Sequence, residues 1–206
     1  MKSQVEETIV SRKENSLISG DGGVPVVVVD NFPMLGTYTA YRFIEWVQQN
    51  PGGVVSLPTG KTPEFFIKEV IRLKENWTDP GTASELEAAG IDPAVPPAFK
   101  DLRFVQIDEF YPINPRHMNS FYYYVKKYYL EGFGISPEQA LLINCEEIGL
   151  DAGMTLEEVW RDEAVDLSLR NRKAATDRES VRKKVIERID QWCVEYEDKI
   201  RALGGI

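Results

Sequence analysis

Two short stretches of this chain combine residue types and spacing suited to chemistry. The first is Thr59-Gly60-Lys61-Thr62, set between the apolar run Val54-Val55-Ser56-Leu57-Pro58 and the restart Pro63-Glu64-Phe65-Phe66-Ile67. It reads as strand, tight loop, helix. Pro63 suits the first helical position, Thr62 the N-cap, and Glu64 the first turn, where a negative charge favours the helix dipole. Such a loop turns main-chain N–H groups outward, and Lys61 adds positive charge, so the chemistry on offer is anion binding, with a phosphate on a small molecule as the natural occupant. The second is Asp108-Glu109, directly after the apolar run Leu102-Arg103-Phe104-Val105-Gln106-Ile107. Acidic residues at the carboxyl end of a strand in an open α/β sheet lie where ligands bind, and a carboxylate there can move a proton.

Each stretch has a plainer reading. The loop can be an ordinary strand–helix turn without a ligand, and Asp108 a strand-end cap. A nucleoside triphosphate loop is a third possibility, but it requires a glycine five residues before Gly60, and Val55 stands there. Other reactive residues are few. The single histidine, His117, follows Asn114-Pro115-Arg116 and reads as a loop residue. Cys145 and Cys193 form no C-x-x-C pair, so no zinc site is expected, and each reads as a buried structural thiol.

The elements that must position these residues alternate in type. Val26-Val27-Val28-Val29 is continuously β-branched, the pattern of a parallel-sheet strand covered on both faces. Leu35, Thr39, Phe43, Trp46 and Val47 recur at helical spacing until Asn50-Pro51-Gly52-Gly53. Strand 54–57 and a helix over about 63–75 follow, giving the β-α-β-α order of a doubly wound fold. Residues 76–100 read as an irregular surface insertion around a short helix at Ser84–Ala89. Asn119 or Ser120 caps a helix Phe121–Leu130, whose aromatic run is read as packing. Ser136-Pro137-Glu138-Gln139 and Thr155-Leu156-Glu157-Glu158 are capping boxes flanking Leu141-Leu142-Ile143-Asn144, which reads as a short strand or extended piece. Residues 145–180 read as a solvated excursion. Val181, Val185, Ile189, Trp192, Tyr196, Ile200 and Leu203 mark the last helix, Gly204-Gly205 end it, and Ile206 reads as the start of a buried strand.

Composition narrows the function. The chain has 206 residues, 43% of them hydrophobic, enough for one sizeable core and at most two domains. A net charge of −9, with no basic run longer than Arg182-Lys183-Lys184, argues against nucleic-acid binding. No run approaches the length of a membrane span, and the start lacks the apolar core of a signal peptide, so a soluble cytoplasmic protein is expected. Residues 1–23 read as a flexible leader or a short helix with a flexible exit.

Taken together, the motifs resemble the glucosamine-6-phosphate deaminase/isomerase family, whose relatives include the 6-phosphogluconolactonases. The resemblance is carried by Leu57-Pro58-Thr59-Gly60-Lys61-Thr62-Pro63, Ile107-Asp108-Glu109-Phe110, His117-Met118-Asn119-Ser120-Phe121-Tyr122, and Tyr196-Glu197-Asp198-Lys199-Ile200 before Gly204-Gly205-Ile206. It covers about residues 24–144 and 185–206 and implies an α/β/α sandwich with a largely parallel, Rossmann-like sheet, carrying insertions at about 76–100 and 145–180. It further implies that Thr59, Gly60, Lys61 and Thr62 contact a sugar phosphate, that Asp108 is the enolising base with Glu109 also at the substrate, that no cofactor is used, and that the protein self-associates.

Two departures from the family pattern bear on activity. Lys61 stands where the family usually has a second glycine. The family's Gly-x-Gly-x-Asp-Gly-His loop, which carries the ring-opening histidine, has no counterpart, so residues 24–206 read as the front part of such a domain. Two alternatives to the deaminase reading stay open: a non-catalytic sugar-phosphate-binding module and a 6-phosphogluconolactonase-type hydrolase.

Overall fold

The computed structural model describes residues 3–12, 16–19, 25–161 and 163–205; for 16–19 and 25 it describes the backbone alone. The Gly20-Asp21-Gly22-Gly23 stretch and Ile206 lie outside the described residues. The chain is α/β. Its elements are α1 (Gln4–Ser11), β1 (Ser16–Ser19), β2 (Pro25–Val28), α2 (Phe32–Gln49), β3 (Val54–Val55), α3 (Glu64–Glu75), α4 (Pro80–Ala88), β4 (Arg103–Val105), α5 (Phe121–Tyr124), β5 (Ala140–Leu141), α6 (Leu156–Trp160) and α7 (Asp177–Ala202). A π-helical stretch, Val125–Gly134, continues α5. The residues gather into two compact units. One comprises those up to Gly53 together with Pro58–Arg103 and Lys127–Gln139; the other comprises Val54–Leu57, Phe104–Lys126 and those from Ala140 onward.

In the first unit α2 is the central helix. Asn31 caps it by accepting from the Met34 N–H, and Gly36, Tyr38, Ala40, Tyr41, Ile44 and Val47 form its buried face. That face is rotated from the one read off the sequence: Leu35 and Thr39 are exposed. The cause is the close approach of α3. A Cβ on Gly36 would sit 2.5 Å from the Phe65 Cβ and 2.7 Å from the Phe66 nitrogen, so only glycine can face inward there. Phe43, Phe66, Phe99 and Phe133 build an aromatic cluster with ring centroids 5.5–6.0 Å apart. Part of the expected leader is a helix built into this core, with Val5 and Ile9 of α1 buried. Its N-terminus is held by the buried carboxylate of Glu45, which accepts from the Ser3 hydroxyl at 2.5 Å and the Gln4 N–H at 2.7 Å.

Two expectations for this unit change. β2 is not a covered parallel strand: it pairs antiparallel with β1, Leu17 opposite Val27, and Val26 and Val28 are 48% and 45% exposed. A continuous β-branched run records strand propensity but not which faces are covered. The region 76–100 is more than surface, because α4, capped by Asp79, buries Thr82 and Leu86, and Ala89, Ile91 and Phe99 are buried beyond it.

The second unit is organised on the order β3-β4-β5. β4 and β5 run parallel, Phe104 opposite Ala140 and Val105 opposite Leu141. The largest correction falls on 145–180. Val159, Trp160 and Leu169 are buried against Val185 and Ile186 of α7, with Leu150, Met154, Leu156 and Val165 packed around them. The capping box at Thr155 and Glu158 is formed, starting α6. Buried Arg182 donates to the Val159 carbonyl at 2.9 Å and lies over the Trp160 ring at 5.6 Å, placing a cation at the carboxyl end of α6. Ser136-Pro137-Glu138-Gln139, by contrast, closes only a single 3₁₀ turn. α7 begins at its Thr176 cap, and Gly204 and Gly205 follow its end with φ of 92° and 91°, the left-handed conformation that glycine adopts without strain.

Candidate functional site

The Thr59–Thr62 loop belongs to the first unit. It leaves Pro58, whose carbonyl accepts the Tyr129 hydroxyl at 2.5 Å. Tyr129 is fully buried and its ring packs edge-on to Phe133 at 5.3 Å, so the loop's first residue is tied to the aromatic core. Gly60 turns the chain with φ of 88°; an added Cβ would meet nothing within 4 Å, so glycine serves backbone geometry there rather than space. The loop closes where the Lys61 carbonyl accepts the Glu64 N–H at 3.3 Å and the Pro63 carbonyl accepts the Ile67 N–H at 2.9 Å.

Thr62 does not cap α3. Pro63 holds the cap position with no side-chain hydrogen bond, so of the first turn of α3 the Glu64 N–H is met by the Lys61 carbonyl while those of Phe65 and Phe66 have no main-chain acceptor among the described residues. Gly60, Lys61 and Thr62 are exposed and Thr59 is half-buried. Among the described residues the N–H groups of Thr59, Lys61 and Thr62 have no main-chain acceptor. Amides without main-chain acceptors, a helix start without a side-chain cap and an exposed lysine make a surface suited to a phosphoryl group.

Asp108 and Glu109 belong to the second unit and take different roles. Glu109 accepts from Phe110 N at 2.9 Å, Phe121 N at 3.0 Å, Ser120 Oγ at 2.8 Å and Tyr122 N at 2.8 Å. Expected at the substrate, its carboxylate is placed on the start of α5, together with the Ser120 hydroxyl, which accepts from the Tyr123 N–H at 3.3 Å. Asp108 is exposed and forms no ion pair among the described residues. Beside it Ile107 and Phe110 are 61% and 65% exposed, so these residues alone do not form the water-poor cleft expected of a base.

What holds the Asp108 backbone is Gln106, which sequence reasoning passed over. Gln106 is buried. Its Nε2 donates to the Asp108 carbonyl at 2.9 Å, and its Oε1 accepts from Ile143 N at 3.0 Å. Its own carbonyl accepts the Tyr196 hydroxyl at 2.7 Å, which lies 2.8 Å from the Leu141 carbonyl as well. Burial raises the Tyr196 pKa, keeping the phenol protonated and donating. The available signal was a glutamine two residues after buried Phe104, on the inward phase of an apolar strand. His117 sits exposed in a turn, its Nδ1 accepting the Asn119 N–H at 3.1 Å. Cys145 is buried, as expected; Cys193 is exposed. Among the described residues there is no cluster able to hold a metal ion, and no helix is long and apolar enough to cross a membrane.

No protein-family model matches the chain. Over 127 residues, 62% of its length, it is 24% identical to a glucosamine-6-phosphate deaminase of Bacillus velezensis, covering 45% of that protein. Over 100 residues, 48% of its length, it is 27% identical to a glucosamine-6-phosphate deaminase of Clostridium botulinum, covering 34% of that protein. The chain thus spans less than half the length of these curated relatives. Its fold resembles that of a monomeric glucosamine-6-phosphate deaminase described as a missing link of the NagB superfamily. The TM-score is 0.52 at 16% identity, over 86% of this chain and 50% of that one. The structural likeness gives the fold alone, an α/β one. In sequence the chain is similar, over part of its length, to the glucosamine-6-phosphate deaminases that its motifs resemble.

Proposed function

We propose that this chain supplies the phosphate-binding loop and the enolising base of a glucosamine-6-phosphate deaminase/isomerase-like activity in the cytoplasm. The observation that carries the reading is the 59–62 loop: the Thr59, Lys61 and Thr62 amides without main-chain acceptors, an α3 without a side-chain cap and exposed Lys61, in a chain whose curated relatives are named for an amino sugar phosphate. Thr59, Gly60, Lys61 and Thr62 bind the phosphoryl group. Asp108 takes the proton from C2 of the opened sugar and returns it to C1; water then replaces the amine, so that ammonia leaves and fructose 6-phosphate remains. Glu109 acts as a positioning residue, because its carboxylate is committed to the N–H groups that begin α5. No cofactor is needed for this chemistry. The protein works as a homo-oligomer, although the structural neighbour is described as monomeric.

One observation favours a second reading, a module that binds the sugar phosphate without turning it over: Asp108 is open to water. Calorimetry on the full chain with glucosamine 6-phosphate, 6-phosphogluconate and ATP, paired with an assay for ammonia release, separates the possibilities. Binding of glucosamine 6-phosphate with ammonia release lost in Asp108→Asn supports the enzyme. Binding without release supports the module. Preference for 6-phosphogluconate or ATP overturns both.

A further inference from the structure

A cavity of about 580 Å³ opens on the first unit, among the end of α3, the segment after α4 and the end of the π-helical stretch. That volume lies within the roughly 300–1,000 Å³ of small-molecule sites. Phe99 and Phe133, both buried, lie beneath it with ring centroids 5.8 Å apart and make its base rigid. Trp77 and Pro97 add apolar wall. The Trp77 indole N–H donates to the Pro93 carbonyl at 2.9 Å, which fixes the ring and satisfies its only donor.

Two ammonium groups complete the lining, those of Lys74 and Lys100, and no lining residue is acidic. Lys74 Nζ donates to the Gly132 carbonyl at 3.1 Å, leaving two of its three hydrogens. Gly134 keeps space at that ammonium, since a Cβ there would come 3.3 Å from Nζ. Lys100 is exposed. In a chain of net charge −9, a cavity lined by cations without acids selects against cationic ligands. A purely hydrophilic anion would leave the apolar wall of Trp77 and Pro97 wet, and a neutral ring would leave the ammonium groups uncompensated.

We infer that this cavity binds a small aromatic carboxylate, with its ring against Trp77 and Pro97 and its carboxylate at Lys74 and Lys100. Neither the phosphate loop nor Asp108 takes part. The probe pair is 2-naphthoate and its neutral isostere 2-naphthamide, titrated into the full chain at low ionic strength. Naphthoate should bind at least tenfold tighter than the amide. The preference should shrink several-fold in Lys100→Gln and further in Lys74→Gln/Lys100→Gln, exposed positions where the fold tolerates glutamine, while amide binding stays unchanged. Trp77→Leu should weaken both probes; a urea midpoint reports whether that variant is folded, and the lysine variants decide the matter if it is not. Equal affinity for acid and amide, a preference that survives both lysine substitutions, or no binding of either probe at millimolar concentration would overturn the assignment.

Discussion

Replacing Tyr129 with phenylalanine removes one oxygen and leaves the aromatic packing in place. The lost hydroxyl is the one that holds the Pro58 carbonyl at 2.5 Å, at the root of the phosphate loop. Pro58 is exposed, so water can replace the hydroxyl as donor, and the stability loss should stay near the typical net value of a hydrogen bond, about 1 kcal/mol. The effect on ligand binding is expected to be larger. A loop freed at its first residue must be re-ordered by the ligand, at about 1–2 kcal/mol per residue fixed, which converts to roughly five- to thirtyfold in Kd. Urea denaturation reads the first quantity and calorimetry with glucosamine 6-phosphate the second. A Kd within twofold of wild type, alongside the expected stability loss, would refute the view that Tyr129 pre-forms the loop. An unchanged urea midpoint would refute the hydrogen bond itself.

Further outcomes follow from other contacts. Glu109→Gln turns a four-acceptor carboxylate into an amide that must present its NH₂ to a backbone donor; it should cost about 2 kcal/mol in urea denaturation, the range for bonds to charged groups. A loss under a few tenths would refute the capping role. Burial holds the Cys145 thiol up at about 11; partial burial raises Cys193 as well, but its side chain is exposed to reagent, so iodoacetamide at pH 8 should label Cys193 and spare Cys145 until urea unfolds the chain. Ser168 and Arg172 hold Asp166 down to about 2, and Arg172 together with the Ala175 N–H does the same for Glu179, against ordinary values of 3.8 and 4.5. Folded-state values below the unfolded ones stabilise the chain above about pH 4.5, and that contribution fades as pH falls towards 2. The urea midpoint should therefore drop between pH 5 and pH 2.5, and drop less in Arg172→Gln; an identical drop would remove the triad from the account.

The sequence made local features legible and left the unit-scale packing hidden. Pro63 and the apolar spacing of Phe66, Ile67 and Val70 mark α3 almost to the residue, because a helix start and its buried stripe are both written locally. Val159, Trp160 and Leu169 carry no period, so the core they form with α7 was unreadable until Val185 and Ile186 were seen facing them. The rotation of α2 depends on Gly36 meeting Phe65, a contact across sequence that no hydrophobic pattern records. At the candidate site, the sequence shows Asp108 and Glu109 only as adjacent acids after a strand. Their division into an exposed carboxylate and a helix-capping one turns on where α5 begins, and the Gln106 amide that holds the Asp108 carbonyl was visible only as a polar residue out of place in a strand.

Proton exchange at C2 of glucosamine 6-phosphate tests the role of Asp108 most directly, because it reads proton abstraction without requiring ammonia release. The full chain is incubated with the substrate in D₂O, and the recovered sugar phosphate is examined by NMR for deuterium at C2. The account predicts incorporation above the protein-free rate with wild type and none above it with Asp108→Asn, while calorimetry shows both proteins binding the substrate alike. Exchange that persists in Asp108→Asn, or a wild-type chain that binds the substrate and exchanges nothing, would contradict it.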